Sequence, residues 1–124
     1  MSVTSFQDLP LAERDREWDG AAARKRVRRW AGADDEPNAK YRNVHLWYDK
    51  DEKNNFGAYK LPIADVIDGK LTAVPRAIFA AAAVVSGARG GVEIPSKESR
   101  RVKAHLARYY KKMGEEPPEE LTKR

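Results

Sequence analysis

The stretch that most constrains this chain is Ala77–Val85, reading AIFAAAAVV: nine consecutive apolar residues placed just behind Pro75. Proline at the first helical position loses no hydrogen bond, because the amide there has no intrahelical acceptor. The pattern therefore predicts a helix over 75–86 that is apolar on every face. Such a helix has no side suited to water and needs enclosure by other elements, while nine residues fall well short of the roughly 20 that cross a bilayer. The expected helix is the centre of a small core, where Ile78, Phe79, Val84 and Val85 would each contribute roughly 1.5–3 kcal/mol on burial. Its alanines let neighbouring backbones come close.

The remaining segments read as a wrapping for that helix. Asp68-Gly69 suits a two-residue hairpin turn in which both central residues need positive φ, so strands over 63–67 and 70–74 should pair antiparallel. The aromatic and β-branched run from Tyr41 to Tyr48 predicts another strand, with Val44, Leu46 and Tyr48 inward, and Phe56 to Lys60 a further one. Asp19 is placed to cap a helix over 20–31 that Gly32 ends, with Ala23, Val27 and Trp30 inward and Trp18 packed over its first turn. Ser96 is placed to cap a helix running to Lys112, whose Val102, Leu106, Tyr109 and Met113 form one apolar stripe. The expected fold class is α+β: a small antiparallel sheet of three to four short strands packed with about three helices, the central one (75–86) buried. The globular domain is expected over 18–114, between a flexible N-terminal arm (1–17) and a flexible C-terminal tail (115–124).

Composition narrows the chemistry. At 124 residues a single core is the expectation. The absence of cysteine excludes a disulfide framework and thiolate chemistry. The first ten residues, MSVTSFQDLP, lack the basic and apolar regions of a secretion signal, and the expected location is the cytoplasm. A net charge of +5 favours polyanions or acidic protein surfaces as partners.

Two helices concentrate that charge. Arg24, Lys25, Arg26, Arg28 and Arg29 form a ridge opposite the inward stripe of the first, and Arg100, Arg101, Lys103 and Arg108 lie on the last. Ridges of this kind contact phosphates without reading sequence, or simply solvate a helix face. Arg76 opposes the dipole at its helix N-terminus, which calls for an ion pair with Asp65 or Asp68, or for an anionic partner. Arg89 lies in the glycine-rich SGARGG, whose spacing matches no phosphate-binding loop. Among the aromatics, Trp47 and Tyr59 are the candidates for exposure and, with Arg76 and Arg89, for protein contacts. His45 and His105 read as structural, being short of the three protein ligands typical of catalytic zinc. The acidic run at Asp49, Asp51 and Glu52 lacks the glycine and terminal glutamate of a calcium loop. No catalytic, metal or cofactor residue is nominated.

The segment YKLPIADVIDGKLTAVPRAIFAAAAVVSGARGGVEIP, followed by RVKAHLARYYKKMG, resembles a small accessory domain of tailed-phage and prophage head-morphogenesis proteins, often fused to or encoded beside prohead proteases. The resemblance spans about Trp18 to Gly114 and includes Trp30-Ala31-Gly32, Tyr41-Arg42, Trp47-Tyr48 and Phe56-Gly57. It implies a non-catalytic interaction module in virion assembly, or a minor virion component, that binds capsid or other head proteins. The protease itself is not implied, since the chain has no room for it. The alternative is a nucleic-acid-binding module using the two basic helices, with DNA as partner.

Overall fold

The computed structural model describes residues 3–87, 92 and 94–122. The class is the expected α+β, with four short strands and three helices longer than two turns among the described residues. The first helix, α1 (Gly20–Ala31), begins where Asp19 accepts a hydrogen bond from the Ala22 amide at 3.2 Å and ends at Gly32, whose φ of 68° lets the next amides reach back to Arg28 and Arg29. Ala23 and Val27 face the core and Trp30 is half-buried.

The strand predicted from Tyr41 is shorter than its composition suggests. Asn38 accepts from the Tyr41 amide and so starts a single helical turn, α2 (Ala39–Arg42), before β1 (His45–Tyr48) begins. The side-chain cap wins locally over the β preference of the aromatic run. Likewise Phe56–Ala58 is a 3-10 turn held by Asn55, and β2 runs over Tyr59–Pro62. Strands β1 and β2 pair antiparallel, with Trp47 opposite Lys60. Strands β3 (Ala64–Ile67) and β4 (Lys70–Ala73) form a second antiparallel pair joined by Asp68-Gly69, where φ is 51° and 76° as the turn type requires. The expected single sheet is thus two separate two-stranded ribbons.

Helix α3 (Pro75–Val85) is buried along one side, through Ala77, Ile78, Ala81 and Ala82, while Ala80 and Ala83 reach the surface. Enclosure stops short of the full circumference because an alanine side chain withdraws little apolar area from water. Helix α4 (Ser96–Lys112) packs on α3 and buries Val102, Leu106, Tyr109 and also Tyr110. Among the described residues, no helix is long and apolar enough to cross a membrane.

The terminal segments pack on the body instead of extending from it. Val3 bridges Trp47 at the outer edge of β1, and the Thr4 amide bonds the Leu46 carbonyl at 3.1 Å. Further on, the Ala73 amide bonds Pro10 and the Ala12 amide bonds Ala73, so the segment touches the second ribbon as well. Between these anchors Phe6 packs on Tyr109, whose hydroxyl donates to the Gln7 carbonyl, and Lys112 pairs with Asp8 at 2.6 Å. At the other end α5 (Glu119–Thr122) buries Leu121 against α4, and Glu115 pairs with Arg14. The domain boundaries expected at 18 and 114 therefore do not limit the packed body, because Val3 and Leu121 lie in its core and Phe6 and Leu9 pack against it.

Candidate functional site: a groove between β2 and α3

A hollow of about 710 Å³ runs between β2 and α3. One wall is α3 itself, through Ala77, Ala80, Ala81 and Val84; the facing wall is Lys60, Leu61 and Pro62, and Trp18 and Trp47 add aromatic surface. Helical spacing explains the first wall: residues 77, 80, 81 and 84 share one face, and all carry small or β-branched side chains. From Ala77 to Val84 that wall is about 10 Å long at 1.5 Å per residue. Leu61 has a φ of 61°. A non-glycine residue there costs about 1–2 kcal/mol, and strain of this sort gathers at ligand clamps.

A second hollow adjoins the first and shares Trp47, Asp49 and Val92 with it. The acidic run Asp49, Asp51 and Glu52 lies along this junction, with Lys50 among it and Glu98 opposite. Glu98 accepts a hydrogen bond from the Trp47 indole at 3.3 Å, which fixes the ring that both hollows use. The run that lacks the features of a calcium loop is thus part of a wall.

The nominated contact residues fare differently. Trp47, expected at the surface, is only 8 % exposed, yet it lines both hollows. Tyr59, expected beside it, is 1 % exposed. Its ring stacks on Tyr48 and its hydroxyl donates to Lys53 at 2.8 Å, so it belongs to the core and is withdrawn as a contact. Its aromatic volume is spent where a core with few leucines needs it. Arg76 is exposed and pairs with neither Asp65 nor Asp68. Arg89 lies outside the described residues.

Asp65 has another partner. Arg26 grips it with both arms, Nε to Oδ1 at 2.9 Å and Nη2 to Oδ2 at 2.6 Å, and Arg16 stands 3.9 Å away. Burial alone would raise the pKa of this carboxyl, whose side chain is 4 % exposed, but the hydrogen bonds from Arg26 and the Val66 amide and the two cations outweigh burial and hold it below the usual value. The bond to Asp65 in turn raises the Arg26 pKa.

The basic ridge of α1 is therefore partly folded inward. Besides Arg26, Arg28 lies over the Phe56 ring at 3.8 Å and donates to the Asp34 carbonyl, and Arg24 reaches the Tyr59 carbonyl at 3.4 Å. Lys25 and Arg29 are exposed. On α4, Arg108 lies over the Phe6 ring at 3.8 Å, Lys103 is half-buried, and Arg100 and Arg101 are exposed. The spacing of cations on a helix shows which side they take, but the acceptors that engage them come from distant segments.

The two histidines lie away from the groove. His45 is 1 % exposed, and burial, reinforced by the Arg24 charge and opposed by a bond to Tyr41, pushes its pKa down to about 3. His105 is half-buried and its pKa is lowered by burial and then by Arg101 and Arg108. No group of three or more His, Asp or Glu side chains able to hold a metal ion occurs among the described residues. Comparison of the chain with protein-family models, curated proteins and solved structures returns no match.

Proposed function

We propose that this protein is a non-catalytic interaction module that holds a short extended segment of a partner protein in the groove between β2 and α3. The observation that carries the proposal is the groove itself: a hollow of ligand-binding size with an apolar, alanine-faced helix as one wall, against which another backbone can lie closely, two tryptophans beside it, and Arg24, Lys60, Asp49 and Glu52 as charged groups on the other sides. Its length of about 10 Å matches about three residues of extended chain at roughly 3.3 Å each. The acidic run at Asp49, Asp51 and Glu52 stands out in a chain of net charge +5 and suits a partner segment in which small apolar residues adjoin a lysine or arginine. The resemblance to an accessory domain of phage head-morphogenesis proteins makes head-assembly proteins, capsid proteins included, the partners to test.

Titration calorimetry with purified major capsid, portal and prohead-protease proteins of tailed phages tests the reading. Binding by at least one of them is expected to change little between 50 and 200 mM salt and to weaken at least about tenfold in Ala80→Arg. That substitution adds bulk and like charge to the groove wall at an exposed helical position, where the cost to folding stays within about 0.5 kcal/mol. Binding indifferent to Ala80→Arg removes the groove from the mechanism. Binding of duplex DNA that collapses over the same salt range would instead establish the phosphate-contacting reading.

A further inference from the structure

Two imidazole nitrogens, His45 Nε2 and His105 Nδ1, are buried without a protein hydrogen-bond partner. Both rings line one small cavity of about 10 Å³, together with Thr4, Ser5 and Gln7 of the N-terminal segment, Asn43 after α2, and four apolar or aromatic side chains. That volume is about what one water molecule needs, roughly 10–15 Å³ with two to four polar partners. It is too small for a larger ligand.

Hydrogen-bond chemistry assigns the protons. His45 Nδ1 lies 3.1 Å from the Tyr41 carbonyl oxygen, which can only accept, so Nδ1 carries the hydrogen. In a neutral imidazole the other nitrogen is then a bare acceptor, and leaving it unmatched in the interior costs roughly 1–3 kcal/mol. The Thr4 hydroxyl spends its hydrogen on the His45 carbonyl at 2.7 Å, which leaves its oxygen able to accept.

We infer that this cavity binds a single ordered water that donates one hydrogen to His45 Nε2 and the other to Thr4 Oγ1, and accepts from His105 Nδ1–H. The water joins three segments far apart in the chain: the N-terminal segment, β1 and α4. It fixes both histidines in the Nδ1–H tautomer and satisfies two nitrogens that would otherwise stay unpaired.

Nuclear magnetic resonance of the uniformly 15N-labelled full chain at pH 7 tests this. Long-range nitrogen–proton correlation is expected to show both rings as Nδ1–H tautomers, with cross-relaxation between water and the ring protons that flank His45 Nε2. In His105→Phe the cross-relaxation at His45 should disappear while the His45 tautomer stays, the dispersion of the amide spectrum reporting that the variant is folded. An Nε2–H tautomer at either ring, or no water contact in the unmodified chain, overturns the inference whether or not the variant folds. Persistence of the contact in a folded His105→Phe removes His105 as a partner and overturns it as well.

Discussion

Acidification should destabilise this protein through His45 well before its carboxylates titrate. The ring is enclosed by Tyr41 and Tyr59, has Arg24 as a like charge when protonated, and is held neutral with a pKa of about 3 against an ordinary value of 6.5. The folded pKa lies below the unfolded one, so the contribution to stability is complete above pH 6.5 and is lost as pH falls toward 3, because only the unfolded chain takes up the proton. Each pH unit in that window costs about 1.4 kcal/mol, so lowering the pH from 7.5 to 5.0 removes about 2 kcal/mol. Against a total of about 5–15 kcal/mol this is a substantial share, and with a slope of about 1–3 kcal/mol per molar urea it lowers the midpoint by about 1 M. Asp65, whose folded pKa is depressed, stabilises above the ordinary carboxylate range and loses its contribution at lower pH, so it does not act in this window. The assay is urea unfolding followed by tryptophan fluorescence at pH 7.5 and 5.0, for the unmodified chain and for His45→Asn, which keeps a donor toward Tyr41 but cannot titrate. The substitution lowers stability at both pH values by shrinking a core ring; what matters is the slope. Carrying His105→Phe in both proteins keeps the second histidine out of the comparison. If the two proteins lose the same stability between pH 7.5 and 5.0, the account of a neutral, buried His45 is wrong.

Four other outcomes follow from the packing. Arg26→Ala should cost about 2–4 kcal/mol by leaving the Asp65 carboxylate buried without its main partner, whereas Arg29→Ala should stay within about 0.5 kcal/mol; chemical denaturation of the two variants measures both. For the same reason Arg29→Ala, and not Arg26→Ala, is the clean probe of any nucleic-acid binding by the α1 ridge. Deleting residues 1–12 should lower stability by at least about 3 kcal/mol through lost burial at Val3 and Phe6 and lost hydrogen bonds at Thr4, read as a fall in thermal midpoint; an unchanged midpoint would show that the segment does not belong to the body. Gly69→Ala should cost about 1 kcal/mol, because φ of 76° at that turn is a conformation that a Cβ disfavours.

Sequence alone determined the parts of this molecule that depend on neighbours within a few residues. The Asp19 cap, the Gly32 stop, the Asp68-Gly69 turn, the proline entry to α3 and the apolar stripe of α4 are local rules of backbone geometry and periodicity, and each stands where those rules put it. The α+β class follows from the same patterns. What tertiary structure decided is every choice among distant partners. Spacing offered Asp65 to Arg76, three residues past the hairpin's last strand, but Arg26 of α1 holds it. Composition made the first 17 residues look loose, yet Val3 is buried and Phe6 and Leu9 are half-buried against a core drawn from elements more than thirty residues away. Sequence offered Trp47 and Tyr59 as the exposed aromatics, while tertiary packing leaves them only 8 % and 1 % exposed. The groove between β2 and α3 has no signature of its own in the chain, because it is bounded by residues from 18 to 92 whose only shared property is where the fold brings them. Periodicity identifies the side of a helix or strand that seeks cover; which segment supplies the cover, and where cover is left incomplete, depends on long-range packing that no local pattern encodes.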